Sequence, residues 1–285
     1  MIIKLTDADF SAKNLGQVSV KSSVSTFTKA AIAASGNTEL SLDKQFSLDD
    51  FFVKIGAVDN SGIFTKIRHL YIPMLALSVE KALVDYANGN EFVGISSDGW
   101  GIRDNGLGAV TDMAVSSIMV NSDKTYDTSN LSIVVAVSDF PVYGNDLNIL
   151  CLSTGKKDSR LSLKIASGSD NATYRPAFMY ASGTETFAGH QIGETNKWRS
   201  TVASLGDNVK FLFPSGDTTT KEWTDGGPVE NSATGLRLLC NLAGTGTWTN
   251  TMGSLRFLAI GEELSADEME SIKTSVDELI ETIIS

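Results

Sequence analysis

Three kinds of side chain in this sequence could do covalent chemistry: paired carboxylates, two histidines and two cysteines. Hydrolysis of a glycosidic bond needs two carboxyl groups aimed into one cleft. The nearest approach is Glu222-Trp223-Thr224-Asp225, where carboxylates three apart would point to opposite faces of a strand. Gly226-Gly227-Pro228 follow at once and favour a turn. His69 lies beside Arg68 and Leu70, and His190 lies in a stretch rich in Gly and Thr; neither has a Ser or Cys in a nucleophile-elbow setting. Both are expected to be structural. Cys151 and Cys240 fall in apolar runs, where free buried thiols are expected, although adjacent strands would bring them together. No catalytic residue and no enzyme are predicted.

Non-covalent recognition has better material. A pyranose presents an apolar face and a ring of hydroxyls, so its site needs an aromatic platform beside planar polar groups. Three segments offer that mixture. The richest is 97–105, with Asp98, Trp100, Arg103, Asp104 and Asn105; the others hold Trp223 with Asp225 and Trp248 with Asn250. The competing reading of each Trp is packing over a sheet edge. Asp98, Asp104, Asn105 and Asp112 do not follow the Asp-x-Asp-x-Asp-Gly spacing of a calcium loop, so no metal is expected, and no cofactor is implied.

The elements that must hold these residues belong to a chain of 285 residues, 42% hydrophobic and 20% charged, which suits a globular protein. Two Cys and two His leave no disulfide framework and no Cys/His zinc site. No run approaches the roughly 18 apolar residues of a membrane span. Asp7 and Asp9 interrupt the N-terminus before an export signal could form. The net charge of −11 is uneven: residues 261–285 carry eight Asp/Glu against one Lys, whereas residues 1–90 carry nine of each sign. With no concentrated basic face, nucleic acid is not an expected partner.

From about residue 91 short β-rich runs alternate with Gly, Asn, Asp and Ser, as in an antiparallel β-sandwich. The clearest runs are 110–120, 131–138, 147–153, 161–166, 209–213, 235–242 and 254–260. Ile133 to Val137 and Leu147 to Leu152 are almost continuously apolar and should be core strands. Ser265 and Glu268 have capping-box spacing, and Met269, Ile272, Val276, Leu279, Ile280 and Ile283 then form one stripe of a helix over 265–283. Its acidic face is expected to be solvated. In residues 1–90, helices are expected over 24–34 and 47–57, the second capped by Ser47, with extended pieces at 2–5, 18–20 and 67–72 and a weaker helical signal over 78–88. Helix is expected only in the first 60 residues and at the C-terminus. Residues 1–90 read as an extension packed on the sandwich of 91–285 and adding strands to it.

The order Asn196-Lys197-Trp198-Arg199-Ser200-Thr201-Val202, Val209 to Phe213, Ser215-Gly216-Asp217, Gly235 to Leu239, Gly253 to Ile260 and Leu264-Ser265-Ala266-Asp267-Glu268 resembles the concanavalin A-like jelly roll of laminin-G and pentraxin type. Arg199 stands where that family often has His, and no paired Asp/Asn calcium signature accompanies it. The segment Asp7 to Val18 is similar to the start of tail-associated virion proteins of tailed phages of gut Bacteroides. Together the resemblances imply a mainly β protein, a non-enzymatic fibre, tail or capsid-associated subunit made in a bacterial cytoplasm. Its implied partners are other virion proteins and a host-surface glycan. The alternative is a carbohydrate-binding module or glycoside hydrolase of the same fold. A homo-oligomer, by analogy with phage fibres a trimer, is expected from the apolar stripe and from Phe10, Phe27, Phe46, Phe51, Phe52 and Phe64.

Overall fold

The structure is a computed structural model that describes residues 23–88, 100–103, 105–109, 118–120, 126–127, 130–137, 147–153, 160–167, 173–180, 184–187, 190–191, 199–212, 216–222, 228–229, 236–240 and 254–285. The expected strands at 2–5 and 18–20, residues 110–117 and Phe10 lie outside them.

Helix α1 (Thr26–Ser35) is capped by Ser25, whose hydroxyl accepts from the Thr28 N–H. Helix α2 (Leu42–Ile55) begins five residues before the expected Ser47 cap. Ser41 is its N-cap, because Leu42, Lys44 and Gln45 are good helix formers and Asp43 suits the positive end of the dipole. It stops at Gly56, whose φ of 86° is left-handed; a Cβ there would lie 2.1 Å from the Ser61 carbonyl oxygen. Strand β1 (Ile67–Tyr71) and the short helix α3 (Val79–Ala82) follow. Two 3-10 turns at Gly62–Lys66 and Pro73–Leu75 also lie past residue 60. Helical structure is thus not confined to the two ends: Pro at a first helical position and Ser78 as a cap each start a turn that soon stops.

The β part runs β2 (Trp100–Arg103), β3 (Gly106–Ala109), β4 (Ile118–Val120), β5 (Tyr126–Asp127), β6 (Leu131–Val137), β7 (Leu147–Ser153), β8 (Arg160–Ser167) and β9 (Thr173–Tyr180). It continues through β10 (Thr184–Phe187), β11 (His190–Gln191), β12 (Arg199–Leu205), β13 (Asn208–Leu212), β14 (Thr218–Glu222), β15 (Pro228–Val229), β16 (Leu236–Cys240) and β17 (Leu255–Gly261). One antiparallel sheet has the order β14-β13-β12-β6-β17-β3-β2, with β1 also on β17; a second has β10-β9-β8-β7-β16-β4, with β11 on β9. The chain changes between these two sheets from β3 to β4, β4 to β6, β6 to β7, β11 to β12, β14 to β16, and β16 to β17. Strand β17 holds β6 along one edge and divides the other, Leu255 pairing with Leu107 of β3 and Leu258 to Gly261 with β1.

Every residue of β6 and β17 is buried. Register explains how both faces are used. Val134, Ala136, Val202, Phe257 and Ala259 are cross-strand neighbours on one face and join the helical core, while Ile133, Val135, Leu258 and Ile260 alternate with them on the other. The near-continuous apolar run read in 133–137 therefore marks a strand covered on both sides.

The last element, α4 (Ala266–Ile284), has the expected capping box. Its whole stripe, Met269, Ile272, Val276, Leu279, Ile280 and Ile283, is buried against the same chain, where the core includes Leu48, Phe51, Phe52 and Ile55 of α2. Part of its acidic face is paired and not simply solvated: Lys66 reaches Glu268 at 2.7 Å and Lys54 reaches Glu278. Lys44 donates to the Ile283 carbonyl at 2.8 Å, at the negative end of the dipole. The phenylalanines also meet within the chain, Phe27 with Phe52 at 4.8 Å between centroids, Phe27 with Phe64 at 5.8 Å and Phe51 with Phe257 at 5.7 Å. One chain therefore already covers the stripe and four of the six phenylalanines, Phe27, Phe51, Phe52 and Phe64, while Phe46 stays half-buried.

Candidate functional site

The sequence placed a sugar platform at residues 97–105, and the described part of that segment is a hairpin. Trp100 pairs with Ala109 and Arg103 with Gly106, leaving a two-residue connection between β2 and β3. Asn105 occupies it with φ of 53°, a conformation that Asn tolerates better than most residues. Asn105 is exposed and Arg103 is half-buried. Trp100 is only 5% exposed, so its indole packs in the interior and offers no platform to a ligand. Gly106 lies so close to β17 that a Cβ would sit 2.7 Å from the Leu255 carbonyl oxygen. Asp98, Asp104, Trp223, Asp225, Trp248 and Asn250 lie outside the described residues, as do Trp198 and Asp112.

His69 is buried on β1, and its Nδ1 lies 2.8 Å from Asp85 Oδ2. Tyr71 Oη is 3.3 Å from the same nitrogen. Asp85 is buried as well, and its Oδ1 accepts from the backbone N–H groups of Leu70 and Ala87, both at 3.0 Å, while Asn88 Nδ2 donates to Oδ2 at 2.8 Å. Burial pushes the Asp85 carboxyl up; the bonds from His69, Asn88 and Leu70 N–H outweigh it and hold the group below its ordinary value. The cluster ties the segment after α3 to β1, which is a structural task. His190 is in a strand and not in a loop, with Tyr174 opposite.

Cys151 and Cys240 sit on neighbouring strands, but the register sets Cys151 opposite Arg237 and Cys240 opposite Asn148. Three residues of offset separate their Cα atoms by about 10 Å along the strands, beyond the roughly 7 Å a disulfide allows. The two cysteines are not bridged.

A site that the sequence did not suggest lies between α2 and α4. A cleft of about 310 Å³ runs there, with buried Phe51 and Leu279 at its base and half-buried Phe46 among its lining. Its polar lining includes Asp43, Asp50, Glu278, Lys54, Ser47 and Thr282. The two helices are also bridged by an ion pair between residues 224 positions apart, Lys54 and Glu278. Aromatic and carboxylate groups at such a separation leave no local signal. Among the described residues no group of three or more His, Cys, Asp or Glu could hold a metal, and no helix is long and apolar enough to cross a membrane.

The backbone is similar to several solved structures. The binding domain of botulinum neurotoxin serotype D superposes with a TM-score of 0.52 at 18% identity, over 76% of this chain and 51% of that one. Botulinum neurotoxin type C, whose cell entry depends on interaction with two ganglioside molecules, gives 0.51 at 12% identity, over 78% and 53%. These are lectin-type domains of concanavalin A-like architecture. The fold is a jelly-roll β-sandwich. The chain spans about half the length of the toxin structures, and at these identities the likeness is one of fold alone. The CBM40 domain of a Ruminococcus gnavus sialidase is matched over 57% of this chain and 99% of its own, at 13% identity and a TM-score of 0.40. No protein-family model matches the sequence, and no curated protein does.

Proposed function

We propose that this chain is a non-catalytic, glycan-binding jelly-roll protein that serves as a fibre, tail or capsid-associated subunit of a bacteriophage virion, made in the cytoplasm of its bacterial host. The observation that carries the glycan part is the shared backbone with a toxin that enters cells by contacting gangliosides. It is an argument by analogy of fold, since one fold hosts many functions. The non-catalytic part is supported by the sequence, which contains no Glu-x-Asp-x-x-Glu-like run, and by the burial of His69 away from any open cleft among the described residues. The virion part is supported by the resemblance of Asp7 to Val18 to phage tail-associated proteins. Its partners are other virion proteins and a glycan of the host surface.

A glycan array probed with the full chain, run beside reducing-sugar assays on the retained polysaccharides, tests the first two parts. Retention without turnover is the expected result; turnover of any polysaccharide overturns the non-catalytic reading, and a blank array overturns glycan binding. Peptides of this chain in purified particles, with flanking portal or tail genes, are the expected signs of the virion role. A chromosomal neighbourhood of polysaccharide-degradation genes would overturn it.

A further inference from the structure

We propose that Asn105 is a site of spontaneous covalent modification: its carboxamide nitrogen leaves as ammonia through a cyclic imide with Gly106, and aspartate and isoaspartate replace it in the β2–β3 turn. The reaction needs a side-chain carbonyl carbon that can approach the next backbone nitrogen, and a next residue with no side chain in the way. Asn105 is exposed, its φ is 53°, and its carboxamide has no hydrogen-bond partner among the described residues. Gly106 is imposed by packing, since a Cβ there would lie 2.7 Å from the Leu255 carbonyl oxygen and 2.9 Å from Ser254 Cβ. The packing thus sets a glycine directly after an exposed asparagine at the tip of a hairpin. That hairpin is also loosely held: β2 is the last described strand of its sheet, and β3 joins β17 through the single pair Leu107 and Leu255. Local opening of so short an edge frees the Gly106 nitrogen from its pairing with Arg103.

The step balances with water as its only co-reactant. The Gly106 nitrogen bonds to Cγ of Asn105, the Cγ–Nδ2 bond breaks, and the proton from Gly106 leaves with the ammonia. Water then opens the imide at either carbonyl, giving aspartate or an isoaspartate whose chain runs on through Cγ. Each product adds one negative charge at neutral pH. Isoaspartate also lengthens the backbone beside the close approach of Gly106 to Leu255. Two other asparagines are better protected. Asn88 likewise precedes a glycine, but its Nδ2 donates to Asp85 Oδ2 at 2.8 Å and to the Arg68 carbonyl, so the amide is held. Asn60 is exposed with φ of 55°, but Ser61 follows it and the Ser61 N–H donates to the Gly56 carbonyl at 2.9 Å.

The test incubates the full folded chain in mildly alkaline buffer, where the imide forms faster, and follows each asparagine by peptide mass mapping with isoaspartyl methyltransferase labelling. Asn105 is expected to convert at least about tenfold faster than Asn88, the scale of two hydrogen bonds that must break first, and faster than Asn60. In chains held unfolded in guanidinium chloride, Asn105 and Asn88 are expected to convert at similar rates, because the fold no longer distinguishes two Asn-Gly steps. Asn105→Gln, whose longer side chain closes the ring poorly, is expected to remove the modified species; the wild-type rates carry the test if that variant does not fold. The isoaspartyl form, separated by anion exchange, is expected to unfold at lower denaturant than the parent chain. A folded chain in which Asn88 converts as fast as Asn105 overturns the proposal. So does one in which Asn105 stays intact while the unfolded chain converts it. An isoaspartyl form with an unchanged midpoint overturns the consequence for packing on β17.

Discussion

Asp85 shows how a single side chain can organise a stretch of backbone. It receives two backbone N–H groups, Asn88 and His69 in a site almost closed to water, so each of its oxygens is satisfied by the fold. Removing the charge leaves those donors facing a neutral group, and Asp85→Asn is expected to cost about 2–3 kcal/mol in urea unfolding at pH 7. The folded pKa is depressed, so the charged form contributes stability that is present above the unfolded value near 4 and lost as pH falls through the folded one. The difference between wild type and Asp85→Asn should accordingly shrink below about pH 4. An equal difference at pH 3 and pH 7 would remove the carboxylate from this role. Tyr86 is the opposite case. Its hydroxyl is buried with no hydrogen-bond partner among the described residues, and burial pushes its pKa up. Tyr86→Phe discards a polar atom that the interior does not satisfy, and a gain of about 1 kcal/mol is expected in the same assay. A loss of similar size would mean that the hydroxyl has a partner.

At the scale of elements, the strongest device is α4. Its capping box was visible in Ser265 and Glu268, and the structure adds Lys66, which bonds the same Glu268 carboxylate and fastens the cap to the segment before β1. Such partly exposed ion pairs contribute about 0–1 kcal/mol each, whereas each buried stripe residue contributes about 1.5–3 kcal/mol. Packing therefore decides the docking. Ile280→Ala should cost about 2–5 kcal/mol, against less than about 1 kcal/mol for Lys54→Met, measured as shifts in denaturant midpoint. The contrast between elements that could and could not be read has the same origin. Runs such as 131–137, 147–153 and 255–261 announce themselves because apolar or small residues fill almost every position, Asn148 and Arg256 apart. Thr218–Glu222 reads TTTKE and pairs at the outer edge of its sheet, so backbone bonding rather than an apolar pattern makes it a strand. Thr173–Tyr180 carries Pro176 in its interior, which argues against a strand on local grounds. Of the candidate site, the hairpin that places Trp100, Arg103 and Asn105 was legible only as a loop of mixed chemistry. The α2–α4 cleft was not legible, because the helices that line it meet only through tertiary packing.

The whole molecule is closed by its two ends. Strand β1 and helix α2, from the first part of the chain, are packed with β17 and α4, from the last, and the core joins Phe51 to Phe257 and Leu70 to Ala259. This changes what a truncation would do. If the aromatic N-terminal region were an interface between copies, a chain lacking residues 1–60 would be a folded monomer. The structure instead gives Leu48, Phe51, Phe52 and Ile55 to the core that covers one face of β6, β12 and β17. Their removal would also expose the stripe of α4. That apolar area is large enough to drive association of non-native chains. The truncated chain is therefore expected to lose its cooperative thermal transition, bind a hydrophobic dye such as ANS and elute as polydisperse aggregate in light scattering. A monodisperse, cooperatively melting fragment of 61–285 would show that the sandwich stands without α1 and α2. It would also return those helices to the role of an assembly surface.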